Sequence, residues 1–190
     1  MPDPVPLRAV LFDRDATLIV DVPYNGDPSL VQPMPTALDA VARVREAGLG
    51  VGVVSNQSGI ARGLLIEAQV QAVNARVDEL FGGFDVWRYC PHGPEDGCEC
   101  RKPKPGMVRS AAGALGLDAS EVAVVGDIAA DLTAAHAAGA RAVLVPTPVT
   151  RPEEVAAAAF VADTLAAAVE LLLAGGVPSP AQASPERGEG

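Results

Sequence analysis

The sequence is poor in positive charge, in long apolar runs and in cysteine. Its 190 residues contain 14 Lys and Arg against 24 Asp and Glu, which gives a formal net charge of −10 at pH 7. A surface that binds nucleic acid needs many Lys and Arg to displace counterions, so we expect no nucleic-acid partner. No apolar stretch approaches the roughly 20 residues that span a bilayer, and the first residues lack the features of a secretory signal. We therefore expect a cytoplasmic protein with no membrane partner.

The apolar residues that are present follow an alternating pattern. Short β-branched segments alternate with longer amphipathic ones, and glycine closes most of the long segments. This pattern is typical of an α/β protein with a mainly parallel sheet. Because residues 175–190 are rich in Gly, Pro and Ser, we expect a single domain over residues 1–174 followed by a disordered tail. The predicted strands are 7–12, 50–54, 86–90, 122–125 and 142–145, and the predicted helices are 36–47, 66–81, 105–115, 130–138 and 162–174.

Two of the predicted strands are followed by long loops. Residues 19–35 follow the first strand and residues 91–103 follow the third, and both segments are polar and contain several prolines. In open α/β sheets, ligands bind outside the carboxyl ends of the strands. We therefore expect both loops to overhang one ligand site.

Polar residues of complementary chemistry follow four of the predicted strands. Asp13 and Asp15 leave the first strand on one face, because residues two apart along a strand point to the same side. An isolated pair of this kind is more often a solvated turn. Here the second strand adds hydroxyls and amides, the third adds two cations, and the fourth adds two further acids. These residues are Ser55, Asn56, Gln57 and Ser58, then Arg101 and Lys102, then Asp127 and Asp131.

Together the four strand ends resemble the four motifs of the haloacid dehalogenase superfamily, over residues 7–145. The resemblance implies a Rossmann-like sheet with helices on both faces. No large cap domain is inserted between the motifs, and this absence favours a small substrate. The implied activity is that of a Mg²⁺-dependent phosphatase that forms an aspartyl-phosphate intermediate. Asp13 would be the nucleophile, and Asp15 would be the general acid and base.

The same resemblance assigns the remaining polar residues. Ser55 and the amide of Asn56 would bind the phosphoryl oxygens, and Lys102 would neutralise their charge. Asp131 is expected to orient a neighbouring side chain rather than bind metal. Three oxygen ligands would hold Mg²⁺, namely Asp13, the backbone carbonyl of Asp15, and Asp127.

Two positions depart from the superfamily pattern. Position 16 is Ala where the superfamily usually has Gly, so a positive φ at this position would strain the turn. Position 128 is Ile, whereas related sugar and histidinol phosphatases commonly carry Lys or Arg there. One cation that would reach a phosphate is therefore missing.

The cysteines lie in a short polar loop with one histidine. Three potential thiolates and one imidazole are the ligands that a closed, structural zinc site uses, whereas three tightly spaced cysteines suit a disulfide framework poorly. A set of buried, reduced cysteines is the simpler alternative. The expected zinc ligands are Cys90, His92, Cys98 and Cys100.

This loop resembles those of two phosphatase families within the superfamily, which act on D-glycero-D-manno-heptose 1,7-bisphosphate and on histidinol phosphate. Residues 55–63 favour the heptose family, whereas the short spacing between His92 and Cys98 favours the histidinol family. We expect the heptose bisphosphate as substrate and keep histidinol phosphate as the alternative. By the same resemblance Arg101 and Lys102 would face the phosphates. The substrate cavity would be lined by Asp21, Tyr24, Ser55, Asn56, Gln57 and Ser58.

A receiver-like phospho-acceptor signalling domain is the alternative from another functional class, because it also gathers acids, a hydroxyl and a Lys on a parallel sheet. Such a domain would carry its phosphorylated Asp on the third strand and a Lys at the end of the fifth. Here the third strand ends in Cys90 and the fifth in Val145. A non-catalytic zinc scaffold is a further alternative, but it leaves the four acids unexplained. The sequence does not indicate an oligomeric state.

Overall fold

The computed structural model describes residues 5–180, in which five parallel strands form one sheet. The strand order is β3-β2-β1-β4-β5, so β1 and its neighbours occupy the centre. The predicted α/β class and parallel sheet are confirmed. The strands are β1 (Ala9–Phe12), β2 (Gly50–Asn56), β3 (Val86–Cys90), β4 (Val122–Gly126) and β5 (Arg141–Leu144).

Six helices connect and cover the strands within the described residues. They are α1 (Ala37–Glu46), α2 (Glu67–Phe81), α3 (Gly106–Ala114), α4 (Ala129–Ala138), α5 (Pro152–Ala157) and α6 (Leu165–Leu173). Five of them match predicted helices to within three residues at each end. The short helix α5 was not predicted, because its six residues present too little apolar periodicity to be distinguished from a turn.

The sheet is buried on both faces because alternate strand residues point to opposite sides. Val10 and Phe12 pack in one core with α1, α2 and α6, whereas Ala9 and Leu11 pack in a second core with α3 and α4. All four strand residues are fully buried. A parallel sheet covered by helices on both faces needs such continuously apolar strands, which explains why the sequence pattern identified them.

The described chain continues to pack beyond α6, within the first residues of the segment 175–190 that the sequence predicts as a tail. Val177 is 3 % exposed, and its carbonyl accepts a hydrogen bond of 3.0 Å from Nε of Arg141. The same buried guanidinium donates to the carbonyl of Ser120 at 2.7 Å and to that of Val5. One arginine therefore ties both ends of the described chain to the sheet. Residues 181–190 of the predicted tail lie outside the described residues.

The carboxyl ends of the parallel strands lie at one edge of the sheet, so the segments that follow them converge there. The predicted loop 19–35 contains only a short 3-10 turn at Pro28–Leu30, and it closes on itself where Ile19 pairs with Pro33. No cap domain is inserted between the described strands. None of the helices in residues 5–180 is both long and apolar enough to cross a membrane.

Candidate active site

Three buried carboxylates meet at the carboxyl edge of the sheet. Asp13 follows β1, Asp127 follows β4 and Asp131 lies in the first turn of α4; they are 8 %, 5 % and 0 % exposed. One oxygen from each lies within 4.8 Å of the others, a spacing that suits a shared cation. The close approach of Asp131 requires glycine at position 126, because a Cβ there would overlap with the Asp131 carboxylate.

Lys102 lies between two of these carboxylates. Its ammonium is 2.7 Å from Oδ1 of Asp13 and 2.6 Å from Oδ1 of Asp131, and it donates to the carbonyl of Val54 at 2.8 Å. Lys102 is 3 % exposed, so its charge acts with little screening by water. Asp131 thus contacts a neighbouring side chain, and it also belongs to the carboxylate cluster described above.

Burial dominates the protonation of this cluster. It raises the pKa of Asp13 to about 8; Lys102 opposes this rise, and the carboxylates of Asp131, Asp15 and Asp127 add to it. Burial and the charge of Asp131 raise the pKa of Asp127 to about 7. Burial lowers the pKa of Lys102, but Asp13 and Asp131 together outweigh it and hold that pKa above its ordinary value. One ammonium therefore does not fully compensate the acids.

A hard divalent cation fits this unbalanced charge. Mg²⁺ prefers oxygen ligands in proteins, and Asp13 and Asp127 supply carboxylate oxygens at the required place. The side chain of Asp15 is not part of the close cluster. A bound cation would neutralise the acids and allow a phosphate to approach.

An open cleft of about 260 Å³ lies beside the acids. Its walls include Asp15, and its volume suits one small molecule. Five of the residues expected to contact substrate border it directly, together with several residues that were not predicted. The lining comprises Arg14, Asp15, Asp21, Val22, Pro23, Tyr24, Asn25, Asn56, Gln57, Ser58, Gly59 and Leu65.

Three predicted substrate contacts do not line this cleft. Ser55 is 1 % exposed, and its hydroxyl accepts a hydrogen bond of 2.8 Å from Gln57. Lys102 is buried beside Asp13. Arg101 turns towards the cysteine loop and donates to the carbonyl of His92 at 3.2 Å. Arg101 was expected to contact a phosphate, but in this structure its side chain is bound to the cysteine loop.

Asn56 connects the end of β2 to the segment that carries Lys102. Its side-chain amide donates to the Lys102 carbonyl at 3.0 Å and accepts from the Lys102 backbone N–H at 3.1 Å. A reciprocal pair of this kind fixes the backbone from which the lysine side chain extends. Asn56 therefore sets the position of the cation as well as lining the cleft.

Two residues that form hydrogen bonds with the acids of the site were not predicted from the sequence. Arg14 is 2 % exposed and bonds both oxygens of Asp15. Thr150, which follows β5, donates its hydroxyl to the Asp127 carbonyl at 2.8 Å. In the sequence Arg14 stands between two acids, and no other pattern marks it as a residue of the site. Strand alternation alone would point its side chain away from those acids.

The four expected zinc ligands converge in the loop after β3. The Cys90 sulfur is 3.6 Å from that of Cys98 and 3.1 Å from that of Cys100, and Nδ1 of His92 is 3.4 Å from Cys90. All four ligand atoms lie within 4.8 Å of one another. In a tetrahedral site with Zn–S bonds of about 2.3 Å, sulfur atoms lie about 3.8 Å apart. The cluster is therefore close to the geometry that zinc requires.

A family model described as HAD-hydrolase-like matches residues 99–168. A D-glycero-β-D-manno-heptose-1,7-bisphosphate 7-phosphatase of Pseudomonas aeruginosa is 43 % identical over 143 residues, which are 73 % of this chain and 80 % of that protein. The Escherichia coli K12 protein of the same name is 38 % identical over 172 residues, or 83 % and 90 % of the two chains. The chain belongs to the haloacid dehalogenase superfamily of phosphatases.

A solved structure supports the same assignment. The crystal structure of D,D-heptose 1,7-bisphosphate phosphatase from B. bronchiseptica, complexed with magnesium and phosphate, matches with a TM-score of 0.77 and 34 % identity. The match covers 89 % of this chain and 99 % of that one. The predicted superfamily is confirmed, and the receiver-like alternative is not supported.

The two departures from the superfamily pattern have structural counterparts in this phosphatase. Ala16 has a φ of 59°, in the left-handed region, where a Cβ costs about 1 kcal/mol relative to glycine. The strain anticipated for this turn is therefore present. Ile128 is 39 % exposed at the start of α4, so a charged side chain would fit there without burial.

The cysteine loop of this phosphatase is expected to contain one zinc ion per chain, because its ligand set leaves no position open for water or substrate. Elemental analysis of protein purified without chelator measures this directly. We expect Cys98→Ser to lose most of the zinc and to lower the thermal midpoint by about 4 °C or more. Ser58→Ala, on the neighbouring loop, is the control. Protein without zinc, or unchanged zinc and stability in Cys98→Ser, would overturn this prediction.

Proposed function

We propose that this phosphatase hydrolyses a small sugar phosphate, with Asp13 as nucleophile and Mg²⁺ as cofactor. The observation that carries the proposal is the placement of Asp13 between Lys102 and Asp127, next to a cleft of suitable size. Lys102 supplies a counter-charge on one side of Asp13, and a cation shared with Asp127 would supply one on the other side, so that a phosphate could approach. We also propose that residues 1–174 form a single domain and that the protein is cytoplasmic.

The reaction would proceed in two steps. An oxygen of Asp13 attacks phosphorus, the ester P–O bond breaks, and Asp15 gives its proton to the departing alkoxide. Water then attacks the phosphorus of the aspartyl phosphate, gives a proton to Asp15 and releases inorganic phosphate and the free Asp13. Mg²⁺, held by Asp13, Asp127 and the Asp15 carbonyl, would neutralise charge on the phosphoryl oxygens.

Other residues of the chain would hold the phosphate. Lys102 lies 2.7 Å from Asp13 and would compensate the charge of the transferred group. The hydroxyl of Ser55 and the amide of Asn56 stand at the end of the neighbouring strand β2, where donors are needed. Asp131 keeps Lys102 in place, because it contacts the same ammonium at 2.6 Å.

We propose D-glycero-D-manno-heptose 1,7-bisphosphate as the substrate. The similar proteins carry that activity in their names, at 38 % and 43 % identity over most of their length. In this chain, Asp21 and Tyr24 line one wall of the cleft and residues 56–59 line another. These polar walls suit the hydroxyl groups of a sugar.

The substrate proposal is tested by comparing kcat/KM for heptose 1,7-bisphosphate, its 7-monophosphate and histidinol phosphate. We expect the heptose bisphosphate to have the highest value. Histidinol phosphate is the alternative, favoured by the short spacing between His92 and Cys98, and a higher kcat/KM for it would overturn the substrate but leave the phosphatase mechanism.

Substitution of Ile128 provides a second test of the proposed substrate. A charge-assisted contact contributes about 1.5 to 3 kcal/mol, so its absence weakens recognition of a second phosphate by about ten- to hundredfold. We therefore expect Ile128→Lys to raise kcat/KM for the bisphosphate and not for the monophosphate. Ile128→Met is the uncharged control. An equal change for both substrates would argue against a second phosphate near this position.

A further inference from the structure

Arg14 is a buried cation to which the mechanism above gives no role. It is 2 % exposed and lies between the two aspartates of the catalytic loop. Its guanidinium donates through Nε to Oδ1 of Asp15 and through Nη2 to Oδ2 of Asp15, each at 3.0 Å. The remaining nitrogen, Nη1, donates to Oδ1 of Asn74 in α2 at 2.6 Å. Because the guanidinium is a rigid planar fork, these contacts determine its orientation.

Gln57 completes the donors around Asp15. Its Nε2 lies 2.8 Å from Oδ2 of Asp15 and 2.8 Å from the hydroxyl of Ser55. Arg14 therefore donates to both oxygens of Asp15, and Gln57, from a different loop, donates to one of them. The terminal torsion of a free aspartate is broad, so a carboxyl group without such donors would rotate.

Asp15 nonetheless remains accessible to a ligand. Its side chain is 29 % exposed, and both Asp15 and Arg14 line the cleft. A proton-transfer group must lie within hydrogen-bonding reach of the oxygen it protonates, and a displacement of about 1 Å is costly to the rate. The orientation of this carboxyl group therefore matters to the reaction.

We propose that Arg14, anchored by Asn74, is a positioning residue that aims the Asp15 carboxyl group at the leaving oxygen of the substrate. The inference rests on the proposed function, in which Asp15 is the acid and base. Arg14 acts through Asp15, and Asn74 acts through Arg14. Helix α2, which supplies Asn74, is thereby connected to the chemistry at the end of β1.

Leaving groups of different basicity separate positioning from general damage. A sugar alkoxide is a strong base and needs a proton as the P–O bond breaks, whereas p-nitrophenolate is a weak base and leaves without one. The ratio kcat/KM reports the steps up to this bond cleavage. In Arg14→Met we expect kcat/KM for heptose 1,7-bisphosphate to fall about 30- to 100-fold, and that for p-nitrophenyl phosphate to fall less than about threefold.

Four further variants define the outcome. Arg14→Lys keeps the charge but not the fork, so it should recover part of the lost activity. Asn74→Ala removes the anchor and should show the same selectivity at about three- to tenfold. Arg76→Met, on the exposed side of the same helix, should match the unmodified enzyme. Asp15→Asn should lose kcat/KM selectively on the sugar phosphate, which checks the proposed function itself.

The proposal fails if Arg14→Met and Asn74→Ala lose kcat/KM equally on both substrates, or if KM rises equally for both. The second result would make Arg14 a phosphate-binding residue. If Arg14→Met does not fold, as judged by circular dichroism and zinc content, the selectivity of Asn74→Ala decides the question. Equal losses on both substrates in Asp15→Asn would instead reject the proposed role of Asp15, and the present inference with it.

Discussion

Phosphatase activity is expected to fall at least about 10⁴-fold in Asp13→Asn, because an amide cannot form the aspartyl phosphate through which the reaction proceeds. The substitution is nearly isosteric, and Lys102 keeps its contacts with Asp131 and the Val54 carbonyl. The fold should therefore persist. Steady-state hydrolysis of p-nitrophenyl phosphate in the presence of Mg²⁺ measures the loss, and unchanged circular dichroism verifies the fold.

Asp39→Asn is a matched control for this experiment, since Asp39 is an exposed residue of α1 far along the chain from the acids. It should leave activity unchanged. Removal of Mg²⁺ should reduce wild-type activity to the level of Asp13→Asn, because the uncompensated acids would repel the phosphate. Substantial activity in Asp13→Asn, or in enzyme freed of Mg²⁺, would contradict the mechanism.

Most of the fold was predictable because it depends on local patterns. The strands are short apolar runs buried on both faces, and helices α2 and α4 end at Gly82 and Gly139, which have φ values of 77° and 93°. A left-handed residue at a helix end is a signal that glycine provides in the sequence. The convergence of four strand ends then follows from parallel topology alone.

The remaining features depend on side chains that meet across long sequence distances. Arg14 bonds Asn74, which is 60 residues away, and Arg141 bonds the carbonyl of Val177, 36 residues away. Neither contact leaves a periodic pattern in the sequence. The turn of Arg101 towards the His92 carbonyl is similarly a property of the folded loop. The order of the motifs along the chain indicates which residues follow the strand ends, but not which of them pair.

The buried lysine provides a prediction about stability. Lys102 is 3 % exposed and contacts Asp13 and Asp131, so Lys102→Met would leave two buried carboxylates without a counter-charge. Breaking a buried ion pair in this way typically costs about 3 to 5 kcal/mol. We expect a loss of this size in the free energy of unfolding, measured by urea denaturation without added Mg²⁺. Activity should fall as well.

The loss in Lys102→Met should grow as the pH rises. Burial already raises the pKa of Asp13 to about 8, and removal of the opposing lysine charge would raise that pKa further. A carboxyl group whose pKa is higher in the folded than in the unfolded protein binds protons on folding, so its folded form loses stability as pH increases through this range. The deficit relative to wild type should therefore be larger at pH 8 than at pH 6, and Mg²⁺ should reduce it by supplying positive charge. Lys104→Met, which removes an exposed ion pair with Glu99 and an exposed hydrogen bond to the Gly97 carbonyl, should leave stability nearly unchanged at both pH values. Equal, small losses in the two variants at both pH values would mean that Lys102 does not compensate the acids.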